Sequence, residues 1–247
     1  MIIIVFLSQV YFFITTNKTT TPWKSQNKPN EWIKVLLNYA WPFCVWGFFT
    51  WGQQSFDRWS LQIFGYVREV GLYSALIQMG YTPIMILSTI VMQFLTPYVY
   101  GIAGDGLDKS RLKQATRINL GASIVFLFLV SILAIIFVFI NNPVMTFFSS
   151  KAYSGVSGYL PVIIFSGGLF SAGQILSISL LTRRDTKSLL MPKVATAILG
   201  IIFYFWGARE LGLKGVVFGN VAFSAIYFIW IFAFIFNANF KRNIQPV

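Results

Sequence analysis

The sequence contains no histidine, a single cysteine and only seven acidic residues in 247. Without histidine the chain has no imidazole base and no histidine ligand for zinc or haem. Cys44 lies alone in an apolar run, where it forms neither an intrachain disulfide nor a cysteine-based metal cluster. The few carboxylates lie mostly between apolar runs, which argues against a two-carboxylate catalytic site inside a membrane. We therefore expect no enzymatic activity, no catalytic residues, no metal and no cofactor.

Charge is scarce overall, at 11% of residues, against 56% apolar residues and a mean hydropathy of +0.69. An average soluble domain carries about 25% charged residues, so this chain has too little charge to cover a water-exposed surface. The net charge of +12 would ordinarily suggest nucleic acid as a partner. Here the basic residues cluster between long apolar runs, as they do in membrane proteins. We expect a membrane protein that does not bind nucleic acid.

Seven apolar segments follow one another along the chain. A helix needs about 20 apolar residues to cross the bilayer core, and backbone groups in lipid are satisfied only within helices or closed barrels. No alternating barrel pattern is present. The segments are Ile2–Ile14, Val35–Gln54, Leu72–Pro97, Ile118–Ile140, Gly158–Leu181, Leu189–Trp206 and Val216–Phe236. The second is expected to continue as a helix to about Phe64.

The predicted fold is an all-α integral membrane protein with a six-helix transmembrane bundle. The first segment is too short to span and is interpreted as the last part of a helix that begins before this sequence. The predicted organisation is a partial transmembrane helix over 1–14, a cytoplasmic linker over 15–34, the bundle over 35–238 and a cytoplasmic tail over 239–247. Alternate connections hold 14 and 5 of the 19 basic residues, with Lys193 assigned to the connection before it. The positive-inside rule then places the richer side, and the C-terminus, in the cytoplasm.

Polar residues within the apolar runs are the candidate site. On a helix that continues past Gln54, Gln54 and Arg58 lie four residues apart, with Gln53 and Asp57 on the adjoining row. A polar stripe on a spanning helix faces a protein interior or a water-filled cavity. The alternative is that Asp57 and Arg58 lie at the outer face of the membrane, where charges are ordinary. Because these two residues are adjacent, they need not pair with each other.

Three further glutamines and a proline are of interest. Gln78, Gln93 and Gln174 either line a cavity or form hydrogen bonds between helices. Pro83, with Gly80 before it, predicts a bend in the segment Leu72–Pro97. The bend is either a fixed kink or a hinge for gating.

These motifs resemble a known family. The detailed likeness covers about Asn38–Gly104, with weaker likeness in the loop 183–187 and in Gly212-Leu-Lys-Gly215. The motifs that carry the likeness are Asp57-Arg58-Trp59, Gly65, Val70-Gly71-Leu72-Tyr73-Ser74, Gln93 and Pro97-Tyr98. With these motifs the chain resembles the polysaccharide-transporter branch, the O-antigen and lipopolysaccharide flippases, of the multidrug/oligosaccharidyl-lipid/polysaccharide exporter superfamily. The region Ala197–Gly212 departs from the pattern, since it lacks the Asn and Pro that relatives often have.

The resemblance implies two six-helix bundles around a central cavity, of which this chain holds the tail of helix six and helices seven to twelve. It implies a flippase that moves lipid-linked oligosaccharide units across the bacterial inner membrane by alternating access. The partners would be that substrate, membrane lipids, and either the missing amino-terminal half or a second copy of the chain. One alternative is a multidrug exporter coupled to protons or sodium, with Asp57 as the candidate carboxylate. Another is a truncated fragment or partner subunit that does not transport.

Overall fold

The computed structural model describes residues 29–104, 106, 108–149, 151–182 and 186–243. The predicted partial helix over 1–14, the linker as far as residue 28, loop residues 183–185 and the last four residues of the predicted tail lie outside the described residues. The chain divides into two compact units, Met1–Trp41 and Pro42–Val247. Every contact discussed below lies within the second unit.

The described part of the chain is helical throughout, as predicted, and contains no strand. A π-helical turn over Ile77–Tyr81 joins α2 to α3, and a 3-10 helix over Lys151–Tyr159 leads into α5. The α-helices are α1 (Pro29–Ile63), α2 (Val67–Leu76), α3 (Thr82–Ala103), α4 (Lys109–Phe148), α5 (Leu160–Leu181), α6 (Thr186–Leu211) and α7 (Leu213–Asn243).

Five helical segments of the described chain are long and apolar enough to cross a membrane, as the sequence predicts for a membrane protein. They are Val67–Ala103, Lys109–Phe148, Tyr153–Leu181, Leu190–Leu211 and Leu213–Phe236. Each contains or largely overlaps one of the last five predicted segments. Helix α1, which contains the predicted segment Val35–Gln54, is not among them. Its apolar run is interrupted by asparagine, tryptophan and glutamine side chains, so a sixth spanning helix stays a prediction.

Several helices extend further than the apolar runs that predicted them. Helix α1 begins at Pro29, inside the predicted linker 15–34, and α7 continues to Asn243, inside the predicted tail. Helix α4 has 40 residues, so at 1.5 Å per residue it is about 60 Å long, about twice the hydrocarbon thickness. At the start of α4 the helix extends beyond its apolar run because Lys, Arg and Gln are good helix formers, so the backbone hydrogen bonds continue through these polar residues.

Helix α5 is the centre of the described bundle and packs against α3, α4 and α7. Its glycines permit close approach of the neighbouring helices. A Cβ atom added to Gly168 would lie 2.6 Å from Val130 Cγ1, and one added to Gly173 would lie 2.7 Å from Tyr227 Cε1. Asn119 of α4 also donates hydrogen bonds of 3.0 Å to the Ile175 carbonyl oxygen and to Ser179 Oγ. These small and polar residues hold α5 against α4 and α7 without depending on hydrophobic exclusion from water.

Near Pro83, where the sequence predicts a bend, the helix contains a π-helical turn over Ile77–Tyr81. Proline donates no backbone hydrogen bond, and its ring would clash with the carbonyl of Met79 in a regular α-helix. A wider turn just before it relieves both problems. Gly80 is buried here, and a Cβ atom added to it would lie 3.0 Å from Ile163 Cγ2 of α5. Whether this turn acts as a hinge stays a prediction.

Glu69 on α2 caps the start of α7. Its Oε2 accepts a 2.6 Å hydrogen bond from the backbone N–H of Leu213. The preceding Gly212 has a φ of +58°, and a Cβ atom there would lie 2.9 Å from Glu69 Oε2. A carboxylate at this place satisfies an otherwise unpaired amide and complements the positive end of the helix. The turn and the cap therefore form one unit that joins α2 to α7.

Replacing Glu69 with alanine is expected to lower the free energy of unfolding by about 1–2 kcal/mol, since it removes a charged helix cap. The measurement is thermal unfolding of the purified chain in detergent. Glu210→Ala is the matched control, because Glu210 contacts Arg209 at 3.6 Å with both side chains more than 60% exposed and such surface pairs contribute little. Equal unfolding temperatures for the two variants would show that the cap is energetically neutral.

Candidate transport cavity

A cavity of about 290 Å³ lies among α1, the π-helical turn and α3, α6 and α7. We refer to this candidate site as the transport cavity. It gathers most of the polar residues that the sequence singled out. The predicted site residues that line it are Gln53, Gln54, Asp57, Arg58 and Gln78. They come from α1 and the π-helical turn, which are separate in the sequence, so it is the packing of the helices that brings them together.

The two polar rows on α1 have different surroundings. Gln53 and Asp57, four residues apart, are 4% and 5% exposed, whereas Gln54 and Arg58 are exposed at the cavity mouth. Gln53 Nε2 donates a 3.0 Å hydrogen bond to the hydroxyl of Tyr204 on α6. The inward row is therefore Gln53–Asp57, and the Gln54–Arg58 row forms the rim.

Asp57 and Arg58 do interact, although they are sequence neighbours. The backbone N–H of Arg58 donates a 2.6 Å hydrogen bond to Asp57 Oδ1, while Arg58 Nε lies 3.5 Å from the same oxygen. One further guanidinium nitrogen donates to the Gln54 carbonyl oxygen at 3.3 Å. Both guanidinium contacts are long, and the Arg58 side chain is 46% exposed. Arg58 thus presents a partly open, permanently charged fork of donors to the cavity mouth.

Behind the rim lies a buried hydrogen-bond network that the sequence analysis did not identify. Asn220 on α7 donates a 3.1 Å hydrogen bond to the hydroxyl of Tyr73 on α2. The Asn220 Oδ1 atom accepts a hydrogen bond from Ser166, whose hydroxyl also lies 3.0 Å from that of Ser224. Asn220 and Ser224 are polar residues within the apolar run Val216–Phe236, and that position was the available signal. The network joins α2, α5 and α7 and holds Asn220, which lines the cavity, in place.

Two of the predicted site residues do not line this cavity. Gln93 is exposed on α3. Gln174 accepts a 3.4 Å hydrogen bond from Lys193 Nζ, which also lies 3.3 Å from the ring centroid of Trp46. Gln174 therefore forms a hydrogen bond between helices, which is the second of the two roles that the sequence predicted for it. Lys193 is only 8% exposed, so it is not the exposed connection charge that the topology count assumed.

The cavity is lined by one cation, one carboxylate and several amides. Arg58 supplies a cation, Gln53, Gln54, Gln78 and Asn220 supply amide donors and acceptors, and the buried Asp57 carboxylate lies behind them. In the part of the chain that the structure describes, no three His, Cys, Asp or Glu side chains converge as a metal site would require.

Comparisons with known proteins do not assign a function to this cavity. No family model matches the chain, and neither a curated protein nor a solved structure matches it significantly. The cavity and the motifs that contribute residues to it are therefore the features that bear on function.

Proposed function

We propose that this chain forms the C-terminal bundle of a flippase that moves lipid-linked oligosaccharide units across the bacterial inner membrane, with its C-terminus in the cytoplasm. The observation that carries the proposal is the polar cavity in an otherwise apolar helical chain, with the half-exposed Arg58 at its mouth and the buried Gln53 and Asp57 behind it.

The side chains at the mouth of the cavity and those deeper inside it suggest the class of substrate. A phosphate-bearing sugar head group must cross a layer that strongly disfavours charge. A guanidinium at the cavity mouth forms charge-assisted, bidentate hydrogen bonds with phosphate oxygens. Amides such as Gln53, Gln78 and Asn220 both donate and accept, which suits sugar hydroxyls. The lipid tail would stay outside, among the exposed apolar side chains of the helices.

Translocation would use alternating access between this bundle and a second one. The second wall would come from an amino-terminal bundle or from another copy of this chain. The π-helical turn over Ile77–Tyr81, with Gly80 and Pro83, lies at the cavity and interrupts the regular α-helix where bending would be needed. Alone, the chain is expected to bind the substrate without moving it.

One observation favours a second candidate, a multidrug exporter coupled to protons or sodium. Asp57 is a buried carboxylate, and an exporter of organic cations would use such a group to hold either the cation or the coupling ion. The opposite charges of Asp57 and Arg58 mean that the two functions predict opposite ligand preferences.

The test is a direct binding comparison with the purified chain in nanodiscs of zwitterionic lipid. One ligand is a fluorescent polyprenyl-diphosphate oligosaccharide, and the other is a fluorescent lipophilic organic cation. Saturable binding of the sugar diphosphate, displaced by excess unlabelled ligand, is the expected result. Saturable binding of the cation alone would overturn the flippase proposal in favour of the exporter. Binding of neither ligand would overturn both.

A further inference from the structure

A second cavity, of about 490 Å³, opens at the basic end of α4 and α7. We refer to it as the basic groove, and it shares no lining residue with the transport cavity. Its volume falls in the range of about 300–1,000 Å³ that is typical of ligand sites. The groove is therefore large enough to hold a ligand of its own.

The lining of the basic groove changes from cationic to apolar along its length. Lys113 and Arg117 lie four residues apart on one face of α4, and Leu120 follows on the same face. At 1.5 Å per residue, Lys113 and Leu120 are separated by about 10 Å along the helix. The side chains of Phe232 and Phe236 on α7 also line the groove, and the buried Leu176 of α5 lies beneath it.

This change coincides with the point at which α4 enters its apolar run. The residues from Lys109 to Arg117 are mostly polar, and from Ile118 onwards they are mostly apolar. The two cations therefore lie at the expected level of lipid head groups, with the apolar part of the groove at the level of acyl chains.

The charge of the groove is uncompensated among its described lining residues. Lys113 and Arg117 are exposed, and none of those lining residues carries a carboxylate. Asp108, at the start of α4, is not among them. Its carboxylate accepts a 2.8 Å hydrogen bond from the Ser110 backbone N–H, which holds the pKa of Asp108 below its usual value. An occupant that fits must be anionic at one end and apolar at the other.

We propose that the basic groove binds an anionic phospholipid of the surrounding leaflet. The phosphate of the head group contacts Lys113 and Arg117, and one acyl chain lies along Leu120, Phe232 and Phe236. A free anion would leave the apolar part of the groove empty, and a zwitterionic lipid would lack the net charge that two cations favour. Basic pockets between membrane helices are known sites for anionic head groups. This proposal is independent of what the transport cavity binds.

Such a lipid would connect α4 to α7, which both pack on α5. Because a ligand that binds only the folded state stabilises it, the anionic lipid is expected to raise the unfolding temperature of the chain as well as to bind.

The experiment is native mass spectrometry of the full chain in nonionic detergent, titrated with phosphatidylglycerol and with phosphatidylcholine. Each interfacial cation contributes about fivefold to anionic-lipid binding, so Lys113→Gln/Arg117→Gln should bind phosphatidylglycerol about 30-fold more weakly. Lys109→Gln/Arg209→Gln removes one lysine and one arginine outside the groove and should bind normally. Phe236→Ala keeps both cations but shortens the apolar wall, and it should also weaken binding.

Several results would overturn the proposal. Equal affinity for phosphatidylcholine would exclude recognition of charge, and an equal loss in the control double variant would reduce the effect to general attraction by a basic protein. Full competition by inorganic phosphate, or normal binding by Phe236→Ala, would indicate a site for free anions instead. If Lys113→Gln/Arg117→Gln fails to fold, two other variants make the same comparison. Lys113→Arg/Arg117→Lys keeps both charges and should bind normally. Lys113→Gln alone removes one charge and should bind about fivefold more weakly.

Discussion

Replacing Arg58 with glutamate is expected to reduce surface polysaccharide at least 30-fold in cells that express the chain together with an amino-terminal bundle and make the lipid-linked substrate. Two unit charges 4 Å apart interact by about 1 kcal/mol in water and by about 4 kcal/mol near a protein surface. The Arg58 side chain is 46% exposed, so its attraction for a phosphate lies between these limits. Reversing the sign converts that attraction into a comparable repulsion, a total change of at least about 2 kcal/mol, or about 30-fold.

The control for this experiment is Arg209→Glu. Arg209 lies beside Glu210 with an Nε–Oε1 distance of 3.6 Å, much as Arg58 lies 3.5 Å from Asp57 Oδ1. The Arg209 side chain is 62% exposed and does not line the transport cavity, so its reversal should leave the polysaccharide level almost normal. Arg58→Lys should retain much of the activity, because it keeps the charge.

Protein level must be measured in each variant, since Arg58→Glu places a second anion beside the buried Asp57. Near-normal polysaccharide in Arg58→Glu at normal protein level would exclude a role in the cavity. It would support the other reading of the sequence, in which Arg58 is an ordinary charge at the outer face of the membrane.

Gly215→Ala is expected to destabilise the chain by at least about 3 kcal/mol, the upper end of the usual cost of overpacking. Helices α6 and α7 cross at Gly207 and Gly215. A Cβ atom added to Gly207 would lie 2.5 Å from the Gly215 carbonyl oxygen, and one added to Gly215 would lie even closer to the Gly207 backbone. Because the obstructing atoms belong to the backbone, alanine at this position would force the two helices apart. Close crossings of membrane helices generally depend on such small residues. The separation would also move Tyr204, one turn before Gly207, away from Gln53.

The measurement is thermal unfolding in detergent, together with binding of the sugar diphosphate. Gly121→Ala is the matched control. Gly121 lies within α4 with no atom within 4 Å of an added Cβ, so alanine there should be neutral or stabilise the helix by up to about 1 kcal/mol. If Gly215→Ala unfolds at the same temperature as Gly121→Ala, the close crossing does not contribute to stability.

The sequence by itself determined the class of the molecule and the approximate position of its helices. A run such as Ile118–Ile140 must be helical in lipid, because only a helix satisfies the backbone of an isolated spanning segment. The same reasoning places Gln53 and Asp57 on one row of α1, because their spacing is one helical turn. Such inferences depend only on helix geometry and on the solvent around the helix. Both can be deduced from the residues of a single segment.

The tertiary structure decided which of these faces meet. In the structure Gln53 and Asp57 face inward while Gln54 and Arg58 form the rim. The spacing of these residues on α1 does not determine which row faces inward. That outcome depends on Tyr204, 151 residues away from its partner Gln53. The interhelical role of Gln174 and the exposure of Gln93 depend in the same way on neighbours from other helices. Contacts between distant segments are set by the packing of whole helices, which one segment's periodicity does not encode.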